Sequence, residues 1–123
     1  MKIPKHEHNV YKLNKQISTD DDKQCRLRFI DCHKRFPLED LNKKELKGFI
    51  QFAQKIECKT WKDIKFNDNS LNYETIRNKK LPSNSNGIID MESLRVDGKF
   101  RIIGYRDNEY FYIVWFDHNH EVY

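Results

Sequence analysis

The chain has 123 residues, 37% of them apolar and 34% charged, with 23 basic against 19 acidic side chains. That length fits one domain and excludes two, and the 13% aromatic share argues against wholesale disorder. No stretch approaches the roughly 18 apolar residues that span a bilayer, no signal-peptide run follows the N-terminal charges, and the three cysteines, Cys25, Cys32 and Cys58, suit neither a disulfide framework nor a zinc ribbon. The expectation is a single cytoplasmic domain in a reducing compartment, with no membrane partner.

Residues 1–22 read as a polar arm, in which Val10, Tyr11, Leu13 and Ile17 offer at most a short strand. Cys25, Leu27 and Phe29 alternate with Arg26, Arg28 and Ile30, which predicts a strand over 25–31 with one buried face. The best helix lies within Pro37–Cys58. Asn42 and Glu45 have capping-box spacing, and Leu46, Phe49, Ile50, Ala53 and Ile56 recur at intervals of three and four, with Phe52 widening the stripe. Lys43, Lys44, Lys47 and Lys55 fall mainly outside that stripe and are candidates for a nucleic-acid-binding surface. Gly48 costs about 1 kcal/mol of helix propensity, so either packing offsets it or a close approach needs it.

Thr60–Asp63 is a candidate cap for a second, short helix. The segment 66–86 holds six asparagines, with Leu71, Tyr73 and Ile76 as anchors for a turn or helix, and 78–90 is expected to be a loop. The end of the chain reads as sheet: a strand over 92–96, a tight Asp97-Gly98 turn, a strand over 99–106, a turn at 107–109, and an aromatic strand over 110–116 with both faces covered. The fold class is α+β: a leading strand, one or two helices, then an antiparallel C-terminal meander.

Charge is unevenly spread. Residues 87–123 hold four basic and seven acidic side chains, so the remainder is net +7 although the whole chain is +4. A basic N-terminal two-thirds fits a polyanion partner and equally a solvated lysine-rich surface.

Six residues stand out as candidates for chemistry: Arg95, Lys99, Arg101, His118, His120 and Tyr123. The predicted strands would allow them to line one sheet surface. Such a set suits RNA cleavage with no metal or other cofactor: His120 moves protons near neutral pH, and Arg101 with Arg95 or Lys99 holds the phosphate. Glu92 or Asp97 is a candidate base, and Tyr123 a stacking or proton-donating group. The plainer alternatives are an Arg101–Asp117 pair, two histidines that only end a strand, and cysteines and tryptophans that only pack.

Ser93-Leu-Arg-Val-Asp-Gly-Lys-Phe-Arg-Ile-Ile-Gly-Tyr-Arg106, the aromatic strand, and His118-Asn-His-Glu-Val-Tyr123 together resemble the end of RelE/YoeB/HigB-type toxins of bacterial toxin–antitoxin systems. The resemblance covers residues 93–123. It implies a small RelE-like α+β fold and a metal-independent mRNA endonuclease, possible on the ribosome and neutralised by a protein antitoxin. Arg101 would then contact the scissile phosphate, Arg95 would match the arginine of the preceding strand, and His118, His120 and Tyr123 the terminal motif. Relatives of the ParE type inhibit gyrase and cleave nothing, so a non-cleaving protein on the same fold, or a small interaction protein, is the alternative.

Overall fold

The computed structural model describes residues 20–76 and 90–122. Most of the expected arm, most of the 78–90 loop and Tyr123 lie outside them.

Among the described residues the order is β1 (Arg26–Arg28), a single 3-10 turn (Leu38–Asp40), helix α1 (Lys43–Ile56), a wide helical turn (Asp63–Asn67), a second 3-10 turn (Asn69–Leu71), then β2 (Glu74–Ile76), β3 (Met91–Asp97), β4 (Phe100–Asp107) and β5 (Tyr110–Asp117). The strands form one mixed five-stranded sheet in the order β1-β5-β4-β3-β2. β1 runs parallel to β5, and every other neighbouring pair is antiparallel. The α+β class and the terminal meander are as expected.

α1 starts where its cap dictates. Asn42 Oδ1 accepts from Glu45 N at 2.8 Å, and Glu45 Oε1 accepts from Asn42 N at 2.9 Å, so both orphan donors are satisfied. The helix therefore begins at Lys43, later than the outer bound of 37. Its buried residues are Phe49, Phe52 and Ile56. Leu46 and Ile50, expected in the buried stripe, are instead 38% and 49% exposed. The three buried side chains, at i, i+3 and i+7, turn the helix onto the Phe52 side and leave Leu46 and Ile50 at its margin. The second cap is present: Thr60 Oγ1 accepts from Asp63 N at 3.1 Å, and Asp63 Oδ2 from Thr60 N at 3.4 Å.

The sheet has two differently covered faces. Toward α1, Leu27, Leu94, Phe100, Ile102, Phe111, Ile113 and Phe116 join Phe49, Phe52, Ile56, Trp61 and Ile64 in one apolar core. The opposite face carries Ile76, Met91, Ile103, Tyr105, Tyr112, Val114 and Trp115, with Ile30, Phe36 and Val122 against it. β5 is buried on both faces, as expected, and lies inside the sheet; the middle position belongs to β4. The β4–β5 register shifts between Ile103 and Gly104, where a Cβ on Gly104 would stand 1.9 Å from the Tyr112 carbonyl oxygen. Only glycine lets the two backbones approach so closely.

The leading strand is shorter than the expected 25–31, because the chain past Arg28 bonds β5 only at intervals: His33 N donates to Val114 O, and Phe116 N to Phe36 O. Ile76, taken with Leu71 and Tyr73 as an anchor for a turn or helix, belongs to a three-residue strand paired with β3.

Candidate anion site and helix groove

Pleating decides which candidates can meet. On β3 and β4, Arg95 stands directly opposite Arg101, and Arg101 stands opposite Asp117 on β5. The next rung on the same face holds Ser93, Ile103 and Trp115. Because side chains alternate along a strand, both rungs project from the face opposite α1, where Ile103 and Trp115 belong to the second apolar cluster.

Two like charges directly opposite one another destabilise an antiparallel pair, with Cβ atoms about 5 Å apart. The obvious counter-ion, Asp117, is otherwise engaged. It is fully buried, and its two oxygens accept from Glu121 N at 2.7 Å and Val122 N at 2.9 Å. The register places Arg101 beside Asp117, yet no ion pair joins them among the described residues.

Arg101 is only 7% exposed, and its Nε and Nη1 are buried with no hydrogen-bond partner. The same holds for Arg95 Nε, Ser93 Oγ and Trp115 Nε1. Buried polar groups are nearly always paired, and each orphan costs about 1–3 kcal/mol. Four residues on two adjacent rungs of one face thus present N–H and O–H donors with nothing to accept them. A phosphate-type oxyanion supplies several acceptors and the missing negative charge at once.

The remaining candidates are dispersed. His118 turns to the other side of the sheet, where its Nδ1 lies 3.0 Å from both carboxylate oxygens of Glu45. The Asn42 backbone N–H holds the Glu45 carboxyl below its usual range against desolvation, and His118 adds to the effect. Lys99, at the β3–β4 turn, shares a groove with His118 next to α1. Neither Lys99 nor His118 therefore joins Arg101.

His120 follows in an exposed turn with a positive φ of 61°. Asp117 closes that turn, and Val122 at its end packs on the Arg101 face. Glu92 hydrogen-bonds Tyr73, and its register partner is Gly104 rather than a residue of the arginine rung. Asp97 lines the grooves beside α1. Tyr123 lies outside the described residues.

Ser93 and Trp115 escape sequence reasoning, although counting back two residues from Arg95 and from Asp117 finds both. One rung beyond Ile103, the Tyr105 hydroxyl donates to Asp31 Oδ2, and its ring stacks on Tyr112 at 5.0 Å. Burial first, then that hydrogen bond, push the Tyr105 phenol far above its ordinary range. Cys25 is fully buried, and burial pushes its thiol up to about 12, which fits packing and not nucleophilic attack.

Beside α1 lie two grooves. One, of about 540 Å³, runs between α1 and the end of β3 and includes Lys55 and Gln51. The other, of about 310 Å³, includes Lys44, Lys99 and His118. They share Gly48 and Asp97. Of the four lysines expected to form a basic groove, Lys44 and Lys55 line these two, and Lys43 and Lys47 line neither.

Comparison of the chain with protein-family models, with curated proteins and with solved structures returns no match. Among the described residues, no helix is long and apolar enough to cross a membrane.

Proposed function

We propose that this protein is a toxin-type mRNA endonuclease of the cytoplasm that grips the scissile phosphate with Arg95 and Arg101. One observation carries the reading: the buried, unpartnered donors of Ser93, Arg95, Arg101 and Trp115 on one sheet face. Guanidinium groups hold a phosphodiester in fixed geometry and stabilise the extra charge of its pentacovalent state.

In this reading His120 takes the proton of the ribose 2′-hydroxyl. The 2′-oxygen bonds to phosphorus, the bond to the 5′-oxygen breaks, and that oxygen takes a proton from water. The products are a 2′,3′-cyclic phosphate and a free 5′-hydroxyl. His118, tied to Glu45 on the far side of the sheet, positions the start of α1 and does not touch the phosphate.

The test maps 5′ ends of a reporter mRNA in a translation extract. New ends within the coding region are expected with the wild-type protein, lost with Arg101→Ala, reduced about 100-fold with His120→Ala, and retained with His118→Ala. An intact message with folded wild-type protein overturns cleavage. Ends that appear only when ribosomes are present make the ribosome a partner.

A second reading, binding to a protein, is favoured by the exposed apolar margin formed by Phe29, Leu46 and Ile50. A neutralising antitoxin with apolar side chains on an acidic segment suits that margin, because Lys43 and Lys47 lie on the same helix. Leu46→Glu with Ile50→Glu is expected to abolish such binding and leave RNA cleavage intact.

A further inference from the structure

Asp117 stands between two sets of partners and serves one of them. On β5 it lies directly opposite Arg101 of β4, and residues so placed have Cβ atoms about 5 Å apart, within reach of an arginine side chain. Its two oxygens nevertheless accept from Glu121 N at 2.7 Å and Val122 N at 2.9 Å. The result is a closed turn over 118–122 beside a buried guanidinium whose Nε and Nη1 have no partner. The opposite arrangement satisfies every one of these groups. With the turn open, water takes up the two freed amides, since residues 119–121 are already exposed, and the Asp117 carboxylate is free to pair with Arg101 in the forked geometry that guanidinium and carboxylate favour. What the closed turn keeps is the contact of Val122 with the second face of the sheet. Against it stands His120, whose φ of 61° lies in the left-handed region that side chains disfavour. His118 is anchored to Glu45 at 3.0 Å, so the part of the turn that opens begins at Asn119.

Resting on the endonuclease reading above, we propose that Asp117 is a positioning residue shared between the last turn and Arg101, and that this sharing regulates the phosphate site. With the turn closed, Arg101 is left for a phosphate, and the segment carrying His120 is held to the sheet. With the turn open, Asp117 neutralises Arg101 and His120 is released, so the site is off. A phosphate that supplies the acceptors Arg101 lacks therefore draws the turn shut. By linkage, whatever pulls residues 119–122 away from Asp117 weakens phosphate binding by the factor with which phosphate closes the turn.

The test reads backbone amide exchange at Glu121 and Val122 by NMR in the full chain, with the Leu46 amide of α1, bonded to Asn42 O, as internal reference. Arg101→Met removes the rival claim on Asp117, so both turn amides are expected to exchange about threefold more slowly than in wild type with no ligand present. Arg101→Lys keeps a cation opposite Asp117 and is expected to restore wild-type exchange. A saturating, uncleavable 2′-O-methyl oligoribonucleotide is expected to slow the same two amides about tenfold in wild type and to leave them unchanged in Arg101→Met. Turn amides that exchange alike in ligand-free wild type and Arg101→Met overturn the sharing of Asp117 and leave the endonuclease reading standing. An oligonucleotide that binds wild type without slowing them overturns regulation through the turn. Wild type that binds no oligonucleotide overturns the phosphate site and its regulation together.

Discussion

Arg101 and Arg106 sit five positions apart on β4, and both are buried, at 7% and 4% exposure. They could hardly be treated more differently. Arg106 Nη1 donates to Asp21 Oδ1 at 2.8 Å, its Nε to Asn108 O at 2.6 Å, and its Nη2 to Asp20 O at 3.3 Å, while the guanidinium lies 4.2 Å from the centre of the Trp61 ring. Arg101, on the opposite face, faces another arginine and leaves two nitrogens without partners. A buried charge costs several kcal/mol unless paired and hydrogen-bonded. Arg106 meets that demand from within the chain and ties the segment before β1 to the sheet. Arg101 does not: two of its nitrogens lack an acceptor within the chain, and in the proposed reading a phosphate supplies it.

The largest way to break the contrast is to disturb the strand that holds both residues. Gly104→Ala drives a methyl group into the Tyr112 carbonyl across the β4–β5 bulge. It is expected to cost about 3 kcal/mol, near the top of the overpacking range, read as a shift of the urea midpoint. Removing the paired arginine comes next: Arg106→Met is expected to destabilise by about 2–3 kcal/mol, because it leaves Asp21 and two backbone carbonyls short of donors. Arg101→Met should go the other way. It removes orphaned donors and a facing like charge, so a gain of about 1 kcal/mol is expected from the same urea titration.

A smaller effect sharpens the comparison through pH. Desolvation raises the Asp21 carboxyl, but hydrogen bonds from Arg106 and Lys65 outweigh it and hold the group below its usual 3.8. A folded-state pKa below the unfolded one contributes stability that is complete above 3.8 and fades as pH falls through the lower folded value. The acid limb of the stability curve is therefore expected to flatten in Arg106→Met and to keep its wild-type form in Arg101→Met.

Much of the frame is legible in the sequence because it depends on local signals. The Asn42–Glu45 box places α1, and the Asp97-Gly98 turn with alternating apolar residues places β3 and β4. What depends on remote partners is not legible. β2 is too short to show a period, and the parallel pairing of β1 with β5 has no turn to announce it. Leu46 and Ile50 fit the helical stripe as well as Phe52 does, and only the sheet beneath α1 decides among them. Arg95 and Arg101 can be picked out by type and spacing. Their relation to Ser93 and Trp115 needs the register. The departure of His118 toward Glu45 needs the three-dimensional path of the last turn.

The most direct measurement is the melting temperature of wild type and Arg101→Met, each with and without a 2′-O-methyl oligoribonucleotide of about ten nucleotides, which cannot be cleaved through its 2′-oxygen. A ligand that binds only the folded state at 100 times its Kd stabilises by about 2.7 kcal/mol. A clear rise for wild type is expected, with Arg101→Met more stable alone and little changed by the oligonucleotide. Equal rises in both proteins, or no rise in either, would contradict a phosphate site built on Arg101.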